Sequence, residues 1–203
     1  MTLEVKISKK LVRYETAFEF LKKRVVLVKK YKAKELVWIL EHPLTFTGGI
    51  RSKNKEILDK KIKIISTNRG GKITLHSPGQ KIVYFVLNLN NRKKEIKNLV
   101  RQIELSIIEF LRLYKIKSYA DKENIGIWVE GKKIAAIGIR VSNWVAYHGF
   151  SINISNDLSH YKKIIPCGLN NKKITSAKKE SEIQILNIND KLRDIFLKNL
   201  KNI

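Results

Sequence analysis

The sharpest chemistry in this chain gathers around one thiol. Cys167 is the single cysteine of 203 residues and sits in Ile164-Ile165-Pro166-Cys167-Gly168-Leu169. Proline fixes φ before it and glycine frees the backbone after it, so the thiol is expected on a stiff corner. The plainer alternative is a small buried hydrophobe, the usual state of a lone cysteine. As a nucleophile it would have to be a thiolate, while a free thiol titrates near about 8.5, so a base or a cation must stand beside it. Three residue positions could supply one: His76, His148 and Lys133. Lys133 runs directly into Ile134-Ala135-Ala136-Ile137-Gly138, a segment of small and apolar residues that would hold it against a sheet. A solvated lysine is the ordinary alternative.

Paired glycines at Gly70-Gly71 could bring backbone N–H groups up to a phosphate or a carbonyl oxygen, or could simply make a tight turn. No Gly-Lys-Ser/Thr follows them and no G-x-G-x-x-G exists, so neither nucleotide-binding loop is present. The histidines His42, His76, His148 and His160 show no paired spacing, and no metal site is expected. His42 and His160 are expected at the surface or in caps. Trp38, Trp128 and Trp144 are expected to pack.

These groups need a scaffold. Leu3, Val5 and Ile7 alternate as in a strand, and Tyr14, Ala17, Phe18, Leu21, Val25 and Val28 recur at helical spacing. Leu36–Leu40 and Lys81–Leu89 read as buried strands, the first stopped by Pro43. A short strand is expected at Ile62–Ile65 and loops at Phe46–Gly49 and Arg69–Gly71. Ile96 to Tyr114 carries the longest helical rhythm. Gly126–Ile134 reads as a hairpin turning at Glu130-Gly131, continuing as a strand to Val141. His148–Ile154 is a further strand, Asn156-Asp157 caps a short helix through Lys163, Thr175-Ser176 and the lysines beyond form a loop, and Asn189–Leu200 closes the chain as a helix. The sum is one α/β domain spanning residues 1–203, an α+β-type mixed sheet flanked by helices.

Charge narrows the partners. The formal net charge is +24, which invites a nucleic-acid reading. Yet of 42 basic residues only 9 are arginine, the residue that reads base edges and phosphates bidentately. The lysines are also spread over the whole chain. Generic surface charge, or attraction to an acidic protein partner, fits better than nucleic acid. No apolar run approaches the roughly 20 residues that span a bilayer, and the N-terminus lacks the apolar core of a signal peptide. The expected setting is the cytoplasm, a reducing compartment in keeping with the single cysteine.

Taken in order, several segments carry a resemblance: Glu41-His42-Pro43, Arg69-Gly70-Gly71-Lys72-Ile73-Thr74-Leu75-His76-Ser77-Pro78-Gly79-Gln80, Gly126-Ile127-Trp128-Val129, Lys133 to Gly138, His148-Gly149-Phe150 and Pro166-Cys167-Gly168. From about Tyr14 to Ser176 the chain resembles the octanoyltransferase family of lipoate biosynthesis. The resemblance implies the fold of biotin and lipoate protein ligases and an acyl transfer in two steps that needs no cofactor. Octanoyl would pass from octanoyl-acyl carrier protein to Cys167 as a thioester. It would then pass to a lysine of a lipoyl domain of the 2-oxoacid dehydrogenase complexes or of the glycine cleavage H protein. Lys133 matches the lysine that lowers the thiol's pKa. Arg69, Gly70, Gly71, Lys72, Ile73, Thr74, Leu75 and His76 match segments that line the acyl site, as do Ala136, Ile137 and Gly138, and Gly149, Phe150 and Ser151. Gly70, Gly71, Gly138 and Gly149 would permit close approach, with backbone N–H groups on the thioester oxygen. A monomer without membrane or nucleic-acid partners is implied. Ser77 stands where the family carries glycine, and Leu44 where it carries a second proline. The alternatives are an ATP-dependent lipoate ligase of the same fold and, more remotely, a basic nucleic-acid-binding protein.

Overall fold

The computed structural model describes residues 2–165 and 174–203; Cys167, with Pro166 and Gly168, lies outside them. The chain opens with β1 (Leu3–Ile7), α1 (Tyr14–Lys29) and β2 (Glu35–Leu40), and β1 and β2 pair in parallel. β2 is buried along its whole length. A continuous Leu-Val-Trp-Ile-Leu run has no polar face to offer water, so it takes a central place with helices on both sides. β3 (Thr45–Gly48), β4 (Ile64–Ser66) and β5 (Ile73–His76) form a separate small sheet in the order β4-β3-β5. β6 (Gln80–Asn88) returns to the main sheet, followed by α2 (Ile96–Arg112), β7 (Tyr119–Ala120), β8 (Ile127–Val129), β9 (Lys132–Ser142) and β10 (Val145–Asn153). A one-turn α3 (Ala177–Glu180) precedes α4 (Ile188–Leu200). The main sheet runs β1-β2-β6-β10-β9-β8-β7, antiparallel except at its first pair.

Alternation along the central strands divides the core. Leu36, Trp38 and Leu40 of β2 and Ile82, Tyr84 and Val86 of β6 face α1, which meets them with Tyr14, Ala17, Leu21, Val25 and Val28. Val37, Ile39, Val83, Phe85 and Leu87 face the other way, against α2 and α4. There Phe196 of α4 packs its ring 5.9 Å from Phe85 and 5.4 Å from Phe150, fixing the middle of β10. The hairpin turns at Glu130 (φ +47°) and Gly131 (φ +74°) as expected. At one end of β2, buried Glu35 holds Arg92 with both oxygens and accepts the Asn88 N–H at 2.7 Å.

Several expectations need correction. Phe46–Gly49 is no loop: Thr45–Gly48 is the middle strand of the small sheet, and the glycines mark where that strand meets the Arg69–Gly71 turn. Residues after Ser176 form the short α3 rather than a loop, and the two-residue β7 was too short to leave a pattern. Trp144 is 38% exposed, because Asn143 and Trp144 are the left-handed corner between β9 and β10 and the ring projects outward. His42 is fully buried, for a reason that belongs to the site.

Candidate active site

Where the small sheet and its turn meet the main sheet, glycines let backbones approach closely. A Cβ on Gly49 would stand 2.4 Å from the Gly71 carbonyl oxygen, one on Gly70 2.9 Å from that of Ile139, and one on Gly138 3.2 Å from that of Gly70. The Gly70 N–H donates to the Ile139 carbonyl at 3.1 Å. That amide is therefore committed to the seam and is not an oxyanion donor, against expectation. Arg69 locks the turn from behind: Nη2 donates to the Thr47 carbonyl and Oγ1, both at 2.9 Å, and Nη1 to the Gly70 carbonyl at 3.0 Å. Lys72 reaches the buried carboxylate of Glu56 at 3.3 Å.

Under this seam lies a cavity of about 60 Å³, bounded by Arg69, Gly70, Gly71, Lys72, Thr74 and His76 on one side and Ala136, Ile137, Gly138, Gly149, Phe150 and Ser151 on the other. The strands bring together almost every residue expected to line an acyl site. Ile73 and Leu75 are the exceptions. They fall on the opposite face of β5 and pack with Phe46 and Ile164 in the core of the small sheet. Tyr14, Ile82, Tyr84 and His148 complete the wall. The first three looked like ordinary core residues in the sequence, and no signal there separated them from their neighbours.

Lys133 sits beside this cleft at only 5% exposure. Its Nζ donates to the Ile125 carbonyl at 2.8 Å and lies 5.3 Å from the Trp128 ring centre. The solvated alternative is thereby excluded. What makes room is Gly126, at φ +138°: a Cβ there would stand 2.5 Å from Lys133 Cε and 3.0 Å from Nζ. Lys133 lines a cavity of about 440 Å³ shared with Gly70, Gly71, Lys72, Ile137 and Gly138. It also lines a crevice shared with Thr74, Ala136, Ser151 and Ile174. The described residues flanking Cys167 are both anchored here. Ile165 donates its N–H to the Glu56 carbonyl at 2.8 Å, Ile174 bridges to Lys133, and Thr175 donates to the Lys133 carbonyl at 2.9 Å.

The two histidines of the wall, and His42 behind them, are neutral and hydrogen-bonded. His42 Nδ1 donates to the Val12 carbonyl, which leaves Nε2 to accept from the Tyr84 hydroxyl at 2.9 Å. Burial lowers its pKa to about 4. His76 donates through Nδ1 to Gln80 Oε1 at 2.8 Å, since the Gln80 amide nitrogen already donates to Asn153 and Leu75. His148 donates through Nε2 to Asn68 Oδ1 at 2.7 Å. Burial lowers both to about 3, aided by the His42 ring at His76 and by Arg69 at His148. Neither is poised as a base near neutral pH. His148 also sits at φ +69° inside β10, and the next residue must be glycine because a Cβ on Gly149 would overlap the Val83 carbonyl at 1.8 Å. Glu41, the other half of the Glu41-His42 pair, accepts the Gly79 N–H at 2.7 Å and clasps the turn below β6. Among the described residues, no cluster of three or more His, Cys, Asp or Glu could hold a metal ion.

The mixed sheet flanked by helices is a fold shared with solved protein ligases for lipoate and biotin. A bipartite lipoate protein ligase from Thermoplasma acidophilum superposes with a TM-score of 0.75 over 98% of this chain and 85% of its own, at 14% identity. A biotin protein ligase from Aquifex aeolicus gives 0.51 over 98% and 69%, at 14% identity. Sequence carries the assignment further. Residues 13–202 match the family described as lipoyl protein ligase A/B catalytic domain. An octanoyltransferase of the Wolbachia of Brugia malayi is 42% identical over 177 residues, 85% of this chain and 86% of the relative. One of Ehrlichia chaffeensis is 44% identical over 183 residues, 87% and 86%. The chain belongs to the octanoyltransferases of the lipoyl protein ligase A/B catalytic-domain family.

Proposed function

We propose that this enzyme moves an octanoyl group from octanoyl-acyl carrier protein to a lysine of a lipoyl domain, through a thioester on Cys167. The observation that carries the reading is Lys133. A lysine buried at the junction of two cavities, with its Nζ fixed on a backbone carbonyl, has a chemical use where a thiol needs a cation. The anchored flanks at Ile165 and Ile174 support the same pairing.

In the first step the Cys167 thiolate attacks the thioester carbonyl. A new C–S bond forms, the carrier's C–S bond breaks, and the departing thiolate takes a proton from the Lys133 ammonium. In the second step the amine of the acceptor lysine attacks the acyl-enzyme. Cys167 leaves as a thiolate, and the now neutral Lys133 takes the amine's proton, restoring the starting state. The lipoyl domains of 2-oxoacid dehydrogenase complexes and the glycine cleavage H protein are the proposed acceptors.

The test is intact mass after mixing the protein with octanoyl-acyl carrier protein in the absence of ATP, beside Cys167→Ser. An octanoyl adduct on the native chain alone is the expected result. No adduct on folded protein, together with acyl-adenylate formation when octanoate and ATP are supplied, would replace the reading with an ATP-dependent ligase.

A further inference from the structure

The cleft has two ends. Residues that the small cavity shares with the spaces around Lys133 (Gly70, Lys72, Thr74, Ile137 and Ser151 among them) mark the end where the reacting carbonyl would stand. Tyr14, Ile82 and Tyr84 line the small cavity and neither of the others. All three are buried, Tyr14 to 2% exposure, so this is the closed end. Tyr14 comes from the first residue of α1, not from the sheet. Ile82 and Tyr84 both lie on β6, so of these three Tyr14 alone is carried in by another element.

Tyr14 is also held firmly. Beside it Tyr84 donates to His42, and His42 ends on the Val12 carbonyl. The ring lies 5.8 Å from His76 in a stacked arrangement and 5.2 Å from His42 edge-on. Three aromatic neighbours, Phe18, His42 and His76, fix the ring that closes a cavity. On the scale where an apolar cavity of about 150 Å³ holds a six-carbon ring, the cavity of about 60 Å³ takes the last few carbons of a chain.

Building on acyl transfer at this site, we propose that Tyr14 is the length stop of the acyl pocket: its ring meets the distal end of the acyl chain and sets the longest group transferred. Shortening the side chain opens room for further methylenes. Each methylene accommodated or refused in an apolar pocket changes discrimination by about 10-fold or more.

The experiment measures kcat/KM for octanoyl, decanoyl and dodecanoyl thioesters of the same acyl carrier protein with a lipoyl domain as acceptor. Native protein is compared with Tyr14→Ala, Tyr14→Leu and Tyr14→Phe. The inference expects the decanoyl-to-octanoyl ratio to rise at least 10-fold in Tyr14→Ala, less in Tyr14→Leu, and to stay near the native value in Tyr14→Phe, which keeps the ring. Ile82→Ala, at the same closed end, should also raise the ratio and serves if the alanine variant at position 14 does not fold. An unchanged ratio in folded Tyr14→Ala or Tyr14→Leu, with active native protein, overturns the length stop and leaves the transfer reading intact. Native protein that transfers none of the three groups overturns the transfer reading, and the length stop with it.

Discussion

Lys133 shows how one glycine decides the state of a charged side chain. In a chain with 42 basic residues the residue types alone mark this lysine only by its apolar successors, with water the ordinary expectation; the family resemblance is what named it. The reason it is buried lies seven positions earlier, at Gly126, whose missing side chain is the space the lysine occupies. Gly126→Ala should push Nζ off the Ile125 carbonyl. A displacement of about 1 Å in a reacting group costs on the order of 100-fold. Octanoyl transfer should therefore fall by 10- to 100-fold, and alkylation of Cys167 by iodoacetamide near neutral pH should slow, as it should in Lys133→Ala. Unchanged alkylation in both variants would remove Lys133 from the activation of the thiol. His42 was misjudged for a related reason: histidine's usual exposure says nothing about a site where a carbonyl and a tyrosine satisfy both ring nitrogens.

Among elements, regular patterns were readable and short or shared ones were not. The helix from Ile96 and the fully apolar strands announce themselves by period, because burial on one face or both leaves a repeating mark. Thr45–Gly48 does not, since its glycines serve a backbone contact with another segment, and a two-residue strand has no period at all. Ile73 and Leu75 were assigned to the acyl site with their whole segment, while the pleat sends every second side chain to the other face. Where α1, β2, β5 and β10 converge, they enclose three neutral histidines. Their pKa values of about 4 for His42 and about 3 for His76 and His148 lie below the ordinary value of about 6.5. Between these limits the unfolded chain binds more protons than the folded one, so stability is complete above pH 6.5 and declines as pH falls toward 3 to 4. The slope is at most about 1.4 kcal/mol per pH unit for each histidine. Thermal melts from pH 7 to pH 4 should show a falling Tm, with a shallower fall in His148→Gln. Parallel curves would show that His148 does not contribute.

For the molecule as a whole, the net charge of +24 gains a use if the carriers that dock on it are acidic. Long-range attraction raises association rates and is screened over about 10 Å at 0.1 M salt. Salt should therefore raise the apparent KM for carrier-bound octanoate several-fold more than for a small octanoyl thioester. Equal effects would leave the charge as composition only. The overall architecture and the neighbourhood of the site were legible, since motif order carries both. The depth of the cleft was not, because its closed end is made by a helix residue far from every motif.

The two anchored flanks of Cys167 belong to different bodies. Ile165 is tied to Glu56 beside the small sheet, and Ile174 to Lys133 in the large one. In mechanical terms the two described flanks stand on either side of a joint, and the joint is a backbone seam of glycines. The small sheet has a modest apolar core of its own, Phe46, Ile73, Leu75 and Ile164, so it belongs to the part of the molecule that opens at lowest cost. Any slackening of the joint shifts the two flanks relative to each other before the large core is disturbed. Under rising urea, acyl transfer should therefore fail at a lower concentration than the helical circular dichroism of α1 and α2. The enzyme would lose its activity while most of its fold still stands.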